Sequence, residues 1–235
     1  YQNAIKYSDS KKVLLEEVLK GHEISTESVI FNGRIHAFAF ADRNYSDSHS
    51  FLPYFIEDGI NFPTKLSIEM QNKVNSLIEK TIRILGIDFG AAKGDVIIDN
   101  GIPKIIEMAA RTSGGWFGAG SIPAATGCNA LIPLLQMAVG DKPNMSMLNS
   151  TKQLGCSQRY VIPKIKGKVV KVSGENDAKN SKGVVLSEFF LPKVGDIIKP
   201  AESHADRFGQ IICVAESRDK AVFLCKQAIT KIKIE

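Results

Sequence analysis

Apolar and polar residues recur along this chain in patterns typical of both helices and strands. From Ser67 to Leu85 the apolar residues are spaced three and four apart, which predicts an amphipathic helix that Ser67 caps and Gly86 ends. The pattern predicts a second helix over Asn129–Val139 and a closing helix over Ser217–Lys231.

Hairpins are predicted where Asn-Gly separates two apolar runs, because this dipeptide favours tight turns between strands. Such runs are Val29–Phe31 with Arg34–Phe40 around Asn32-Gly33, and Gly94–Ile98 with Lys104–Ala109 around Asn100-Gly101. Two short strands are also predicted within Lys12–Glu27, with Lys20-Gly21 as the turn between them. Further β-like runs are Tyr160–Ile165, Lys168–Val172, Val184–Leu191 and Gln210–Val214.

The order of these elements predicts an α+β protein with two units. Residues 1–148 contain both hairpins and the amphipathic helix, and residues 149–235 form a smaller, β-rich α+β unit. The polar stretch Asn144–Lys152 is interpreted as the linker between them.

Composition narrows the function classes. The 235 residues are 44% hydrophobic and 23% charged, with a net charge of +5, which is typical of a globular protein. The basic residues are spread along the chain and are not gathered into stripes, so we expect no nucleic-acid partner. The apolar run over residues 131–139 is too short to cross a membrane, and no membrane partner is expected. Four widely spaced cysteines predict reduced thiols and a cytoplasmic location.

The second hairpin carries the most informative side chains. Strand alternation places Lys93 and Asp95 on one face of their strand, and Glu107 and Arg111 on one face of the partner strand. A two-residue turn would pair Asp95 with Ile106, whereas a three-residue loop would pair it with Glu107. Only the second register supports a site, and an ordinary surface hairpin with ion pairs is the alternative.

In the register that supports a site, two carboxylates would stand ~5 Å apart, which is costly unless a cation lies between them. Mg²⁺ suits such hard oxygen ligands, and neighbouring Lys93 and Arg111 would face anions. The Gly-rich segment 111–116 could bring backbone amides close to an anion.

Three segments resemble parts of the ATP-grasp ligase superfamily. Gly94–Gly101 followed by Ile105–Arg111 resembles the paired-acid metal hairpin of biotin carboxylase, carbamoyl-phosphate synthase and glycinamide ribonucleotide synthetase. Leu15–Ser25 resembles the adenosine-binding strand and turn, and Ala205–Cys213 the β-rich unit beside the site. The resemblance implies the C-terminal part of an ATP-grasp fold, an antiparallel sheet with helices, followed by a small β-rich α+β domain.

The resemblance also implies residue roles. In the nucleotide site, Glu16 would accept from the adenine amine, the backbone of Leu19 would serve the adenine edge, and Glu23 would hold the ribose. Asp95 and Glu107 would bind Mg²⁺, with Mn²⁺ as an alternative, together with the ATP phosphates. Lys93 would contact the γ-phosphate or an acyl phosphate, and the acid substrate or phosphate would lie at Arg111, Ser113, Gly114 and Gly115.

The function implied is that of a fragment of an ATP-dependent carboxylate ligase acting through an acyl phosphate. It would be carbamoyl-phosphate synthase-like or glycinamide ribonucleotide synthetase-like, and would join a small carboxylate to an amine or other nucleophile. The expected partners are an N-terminal part of the same enzyme, without which the fragment is expected to be inactive, and a second copy in a homodimer. The alternative is a non-catalytic or regulatory nucleotide-binding module, because Ala109 stands where many members carry an asparagine metal ligand.

Overall fold

A computed structural model describes the whole chain, Tyr1–Glu235, and its centre is an antiparallel sheet of eight strands. In chain order the strands are β1 (Gly21–Phe31), β2 (Arg34–Asn44), β3 (Gly59–Phe62), β4 (Gly90–Asp99), β5 (Ile102–Ala109), β6 (Gly155–Tyr160), β7 (Gly167–Lys168), β8 (Val172–Ser173), β9 (Val184–Phe189), β10 (Ile197–Ile198), β11 (Gly209–Ala215) and β12 (Lys233–Ile234). Across the large sheet the order is β5-β4-β1-β2-β3-β6-β11-β9, and β10 with β7 and β12 with β8 form two small pairs.

Six α-helices accompany the strands. They are α1 (Gln2–Lys6), α2 (Ile68–Ile84), α3 (Ile122–Thr126), α4 (Leu131–Ala138), α5 (Glu175–Lys179) and α6 (Arg218–Ile229). None of them combines the length and apolarity needed to cross a membrane. The mixture of helices with an antiparallel sheet confirms the predicted α+β class.

The amphipathic helix predicted after Ser67 is confirmed as α2. The Ser67 hydroxyl accepts from the amide of Met70 at 3.2 Å, which satisfies one of the free amides at the helix start. Its buried face, with Val74 and Ile78, packs on Ile24 and Val96 of the sheet. This packing covers one face of the half of the sheet that carries the predicted site.

The closing helix is also confirmed, as α6. The Ser217 hydroxyl accepts from the amide of Lys220 at 3.3 Å at its start. Leu224 and Cys225 pack against Ile211 and Cys213 of β11. All four cysteines are free thiols and buried, so the reduced state expected from their spacing fits their positions.

Both Asn-Gly hairpins are confirmed. Asn32 and Gly33 have φ of 49° and 69°, and Asn100 and Gly101 have φ of 50° and 80°, which are left-handed values at both central residues of each turn. Two-residue turns of this kind match the twist of the strands that they connect.

The prediction of two strands within Lys12–Glu27 is wrong. The residues from Lys12 to Lys20 form neither helix nor strand, and Leu15 is 99% exposed. Gly21 is not a turn residue: it begins β1, where a Cβ atom would come within 2.0 Å of the carbonyl oxygen of Ile98. The apolar residues before Gly21 have no partner strand in this chain, because β2 and β4 flank β1 on both sides.

Other predicted boundaries move. The strand predicted over Tyr160–Ile165 ends at Tyr160 instead of starting there, because β6 covers Gly155–Tyr160. The second predicted helix, over Asn129–Val139, shortens to α4. The predicted linker, Asn144–Lys152, is packed rather than free: it contains a 3₁₀ turn over Met145–Leu148, and Leu148 is buried against Val29.

The large sheet continues across the predicted boundary at residues 148 and 149. β6, which follows the boundary, lies between β3 and β11 and bonds to both. The division into units 1–148 and 149–235 therefore stays a prediction about separate folding, while the hydrogen-bonded sheet joins the two parts.

Candidate active site

The register of the second hairpin brings its two acids opposite each other. Asp95 pairs with Glu107, but not through the three-residue loop that we considered. A two-residue turn pairs Asp99 with Ile102, and an irregularity between Asp95 and Val96 then leaves Ile106 as an extra residue on β5. This bulge restores the pairing that the short turn alone would have shifted by one residue.

Lys93 lies between the two carboxylates. Its ammonium contacts the Asp95 carboxylate closely and is 3.6 Å from Oε1 of Glu107. The Asp95 side chain is 5% exposed and the Glu107 side chain 55% exposed, so only Asp95 is held in a dry environment. The like charges are thus compensated by a cation from this chain.

Asp95 also receives donors from β1, which pairs with β4, and from β2, which lies on the far side of β1. The Ser25 hydroxyl of β1 donates to Oδ1 at 2.7 Å, and Nη1 of Arg43 on β2 donates to Oδ2 at 2.6 Å. Three strands therefore fix the position of this carboxylate.

Arg43 is the hub of a larger charge network that the sequence did not indicate. Its guanidinium reaches Oε1 of Glu57 at 3.3 Å and Oε1 of Glu23 at 3.0 Å, in addition to Asp95. Burial works against the charged form of Arg43, but the carboxylates of Glu57 and Asp95 outweigh it and raise the pKa. Burial in turn raises the pKa of Glu57 and of Glu23, against the attraction of Arg43.

A cavity of about 230 Å³ opens beside this network. Five of the predicted site residues line it: Lys93, Arg111, Ser113, Gly114 and Gly115. The other lining residues are Ser25, Arg43, Glu57, Ile60, Phe117, Tyr160, His204 and Arg207. Four of the lining side chains are Lys or Arg and one is a carboxylate, so the cavity suits an anion.

Arg207 and His204 come from the loop before β11 and were not predicted. The Arg207 guanidinium lies 3.7 Å from the centre of the Tyr160 ring and 3.6 Å from Oε2 of Glu57. Nε2 of His204 accepts from the amide of Glu57 at 3.1 Å. Burial, followed by the charges of Arg207 and Arg43, lowers the pKa of His204 to about 4, so the imidazole is neutral at pH 7.

Glu27 holds one end of the Gly-rich segment 111–116 in place, and it was not predicted from the sequence. Glu27 lies on β1, is 1% exposed, and accepts from the amide of Ser113 at 2.6 Å. That amide is therefore engaged within the chain and is not open to a ligand. The side-chain amide of Gln158 contacts the carbonyl of Gly115, which holds the other end of the segment.

The predicted adenosine residues divide into two groups. Glu23 lies on β1 within the charge network, where the Tyr45 hydroxyl donates to it at 3.0 Å. Glu16 and Leu19 lie on the irregular segment before β1, and neither lines the cavity. The structure therefore brings the predicted phosphate and metal residues together, while the adenine roles of Glu16 and Leu19 stay predictions.

The carboxylates of Asp95 and Glu107 are chemically suited to bind one divalent cation. The chain contains no group of three or more His, Cys, Asp or Glu side chains arranged to hold a metal ion. Two carboxylates suffice for Mg²⁺, because it usually keeps several waters and takes further oxygens from substrate phosphates. Glu107 is half exposed, and its distances of 3.6 Å to Lys93 and 3.9 Å to Arg111 are loose contacts, so its oxygens remain available.

Part of this chain matches a known protein family and a curated relative. Residues 159–235 match the family described as L-amino acid ligase C-terminal domain 2. A curated relative, the uncharacterized protein y4rH of Sinorhizobium fredii (strain NBRC 101917 / NGR234), is 22% identical over 180 residues, which are 77% of this chain and 37% of the relative.

Solved ligases share the fold. The L-amino acid ligase from Bacillus licheniformis superposes with a TM-score of 0.80 at 21% identity, over 93% of this chain and 55% of that one. Phosphoribosylglycinamide synthetase from Anaerococcus prevotii superposes with a TM-score of 0.78 at 19% identity, over 100% of this chain and 58% of that one. Biotin carboxylase from Campylobacter jejuni superposes with a TM-score of 0.67 at 15% identity, over 94% of this chain and 48% of that one.

These matches show that the chain has the ATP-grasp fold, and they confirm the resemblance seen in its motifs. The solved proteins that share this fold are ATP-dependent ligases. The chain spans about half the length of these solved proteins, and 37% of the curated relative.

Proposed function

We propose that this chain is part of an ATP-dependent ligase that joins an amino acid, through its carboxylate, to an amine. One observation carries the proposal: Asp95 and Glu107 face each other across two strands beside a cavity lined by Lys and Arg side chains. Paired acids next to several cations are the arrangement that phosphoryl transfer requires, because catalysis there is mainly positioning and charge stabilisation.

The chemistry has two steps. A carboxylate oxygen of the acid substrate attacks the γ-phosphorus of ATP, and ADP leaves with the electron pair of the broken bond. The amine nitrogen then attacks the acyl carbon, inorganic phosphate leaves, and the nitrogen loses a proton to give the amide. This mechanism predicts no covalent intermediate on the chain's own side chains.

The cationic side chains of this chain would bind the phosphoryl and carboxylate groups of the reactants. Lys93, which contacts both Asp95 and Glu107, would contact the transferred phosphoryl group. The Arg111 side chain is 57% exposed. Its Nη1 donates to the Thr112 carbonyl at 3.0 Å and its Nη2 is 3.9 Å from Glu107, so its remaining N–H donors are free for a carboxylate or phosphate. His204 is neutral at pH 7 and adds no cation there.

Asp95 and Glu107 would hold Mg²⁺, with Mn²⁺ as an alternative. The ion would supply charge neutralisation of the ATP phosphates. Glu107 can turn toward a ligand because it is half exposed, whereas Asp95 is fixed by Ser25 and Arg43.

An amino acid is the acid substrate that we favour among the carboxylates. The match of residues 159–235 to an L-amino acid ligase domain and the TM-score of 0.80 to a solved L-amino acid ligase support it. The similarity to phosphoribosylglycinamide synthetase supports a glycinamide ribonucleotide synthetase-like reaction as the nearest alternative, in which an amino acid is again the acid.

The test uses the longer protein that contains this chain. ADP release is measured with ATP, Mg²⁺ and pairs of amino acids, and Glu107→Gln is expected to lower it by at least about 100-fold, since removing one positioned charge typically costs that much. Glu69→Gln is the matched control, because Glu69 is an exposed acid on α2, with its side chain 77% exposed. Near-normal turnover of Glu107→Gln would show that the acid pair is not the metal site.

One observation favours a second candidate, a nucleotide-binding module without chemistry. Lys93 already supplies a cation between the two carboxylates, so their like charges are compensated within the chain. In that case ATP bound to the full protein would be recovered unchanged, whatever amino acids were present. Release of ADP only when amino acids are added would exclude it.

A further inference from the structure

A second cavity of the chain lies outside the candidate active site. It has a volume of about 540 Å³ and lies between the end of β6, the segment after it, the C-terminal turn of α6 and β12. It shares a single lining residue, Tyr160, with the cavity beside the acid pair. A volume of this size is within the range typical of small-molecule sites.

One side of this cavity is apolar. Its wall is formed mainly by Val161, Ile198, Phe208, Ile229, Ile232 and Ile234. These side chains come from four separate parts of the chain between residues 161 and 234, and they leave an aliphatic surface open at the cavity. An aliphatic group of a ligand would gain free energy by leaving water there.

The other side of the cavity carries a buried cation without an anionic partner. Arg159 on β6 is 5% exposed and makes no ion pair with a carboxylate. Its Nη2 donates to Asn61 at 3.0 Å and its Nη1 to backbone carbonyls of Ile60 and Gln158, but its Nε has no partner. A buried guanidinium that forms no ion pair is costly, so an anion that reached its free Nε would be bound favourably.

The remaining charges around the cavity leave it positive. Lys226, in the last turn of α6, makes no ion pair. Asp47 is paired with Lys164 at 2.7 Å, and Asp58 accepts from the Ser46 hydroxyl at 2.7 Å and from the Asp47 amide at 2.9 Å. The charged residues that line the cavity are three Lys or Arg and two Asp, a net charge of +1. Arg159 and Lys226 form no ion pair, and Asp58, whose negative charge acts on Arg159, accepts only from uncharged donors.

We propose that this cavity is a second binding site, for a small amphipathic carboxylate. The aliphatic chain of this ligand lies on the apolar wall, and its head group lies toward Arg159 and Lys226. The proposal is independent of the ligase reaction, because the cavity and the acid pair share only Tyr160. It also accounts for a polar atom, Nε of Arg159, that has no partner in the protein.

The first experiment titrates the chain with hexanoate, octanoate and decanoate, followed by calorimetry and by amide NMR shifts. The Kd is expected to fall about fourfold for each added methylene group, which is the effect of burying it in an apolar site. Octylamine, which has the same chain and a cationic head, is expected to bind at least about tenfold more weakly than octanoate. Equal binding of octanoate and octylamine, or a Kd that does not change with chain length, would overturn the proposal.

Variants locate the site. Thr230 lies on the cavity rim, and Thr230→Trp is expected to weaken octanoate binding at least about tenfold by filling the cavity. Gln227 is exposed on α6 but does not line the cavity, so the control Gln227→Trp should leave octanoate binding unchanged. Lys226→Gln and Arg159→Gln should each raise the Kd for octanoate. Lys226 is exposed, so Lys226→Gln tests the charge even if the buried substitution perturbs folding. Unchanged affinity in Thr230→Trp would contradict the assignment.

Discussion

Glu27 shows how a single buried acid can organise the candidate site. It accepts from the Ser113 amide and lies so close to the following turn that a Cβ atom on Gly118 would be 3.0 Å from its Oε1. Burial raises its pKa to about 7, against the bonds from Ser113 and the charges of Lys93 and Arg111. Glu27 therefore positions the Gly-rich segment with a carboxyl group that ionises near neutral pH.

The raised pKa has a consequence for stability. The folded-state pKa of Glu27 is above its unfolded value, so its contribution to the free energy of unfolding is complete below about pH 4.5 and is lost as pH rises toward about 7. Glu27→Gln should remove this dependence, which amounts to about 3 kcal/mol over that interval. Urea denaturation of both proteins at pH 5 and at pH 7.5 measures it. An identical pH dependence in the variant would contradict the shifted pKa.

Lys93 is a competing positive charge beside the two acids that would hold a metal ion. Lys93→Met is therefore expected to tighten Mg²⁺ binding to the chain by about tenfold or more, because a competing positive charge is removed. The concentration of Mg²⁺ needed for half-maximal thermal stabilisation gives the affinity. The double variant Lys93→Met with Glu107→Gln is the control, and it should lose the gain.

Several residues of the site could not be predicted from the sequence. Arg43, Glu57 and Arg207 have no local motif, and they are far apart along the chain. They meet because β2, β3, β6 and β11 are neighbours in the sheet, which is long-range information. Lys93, Asp95, Glu107 and Arg111 could be predicted, because strand alternation within one hairpin already puts them near each other.

At the level of elements, the second hairpin depends on its turn and its bulge. Gly101 has a φ of 80°, a region that L-residues with a branched Cβ avoid. Gly101→Val should lower the free energy of unfolding by about 1–2 kcal/mol, and Gly101→Asn by less. Chemical denaturation measures both. Equal losses would show that the left-handed backbone is not what the position requires.

Periodicity was sufficient for the elements that carry their own signals. α2 and α6 have capping serines and apolar stripes, and the two hairpins have Asn-Gly turns. The segment before Gly21 has the composition of a strand but no neighbour to pair with, and β6 begins five residues earlier than its apolar run. Strand formation depends on the partner, and a single sequence does not reveal it.

At the scale of the whole molecule, one sheet joins the two predicted units. Unfolding either unit would break the ladder between β3 and β6, which has four paired positions in the middle of the sheet. We therefore expect one cooperative thermal transition, with coincident melting curves by far-UV and near-UV circular dichroism and equal calorimetric and van't Hoff enthalpies. Two separate transitions would support the division at residue 148.

The molecule also contains its own optical reporter. Trp116 is the only tryptophan of the chain, and it directly follows the Gly-rich residues of the candidate site. Its indole N–H donates to Glu188 of β9 at 2.8 Å, and the residue is 42% exposed. A ligand that displaces the segment would change the polarity around the indole. The emission wavelength of this single tryptophan, excited selectively over the five tyrosines, should therefore follow ligand binding without any added label.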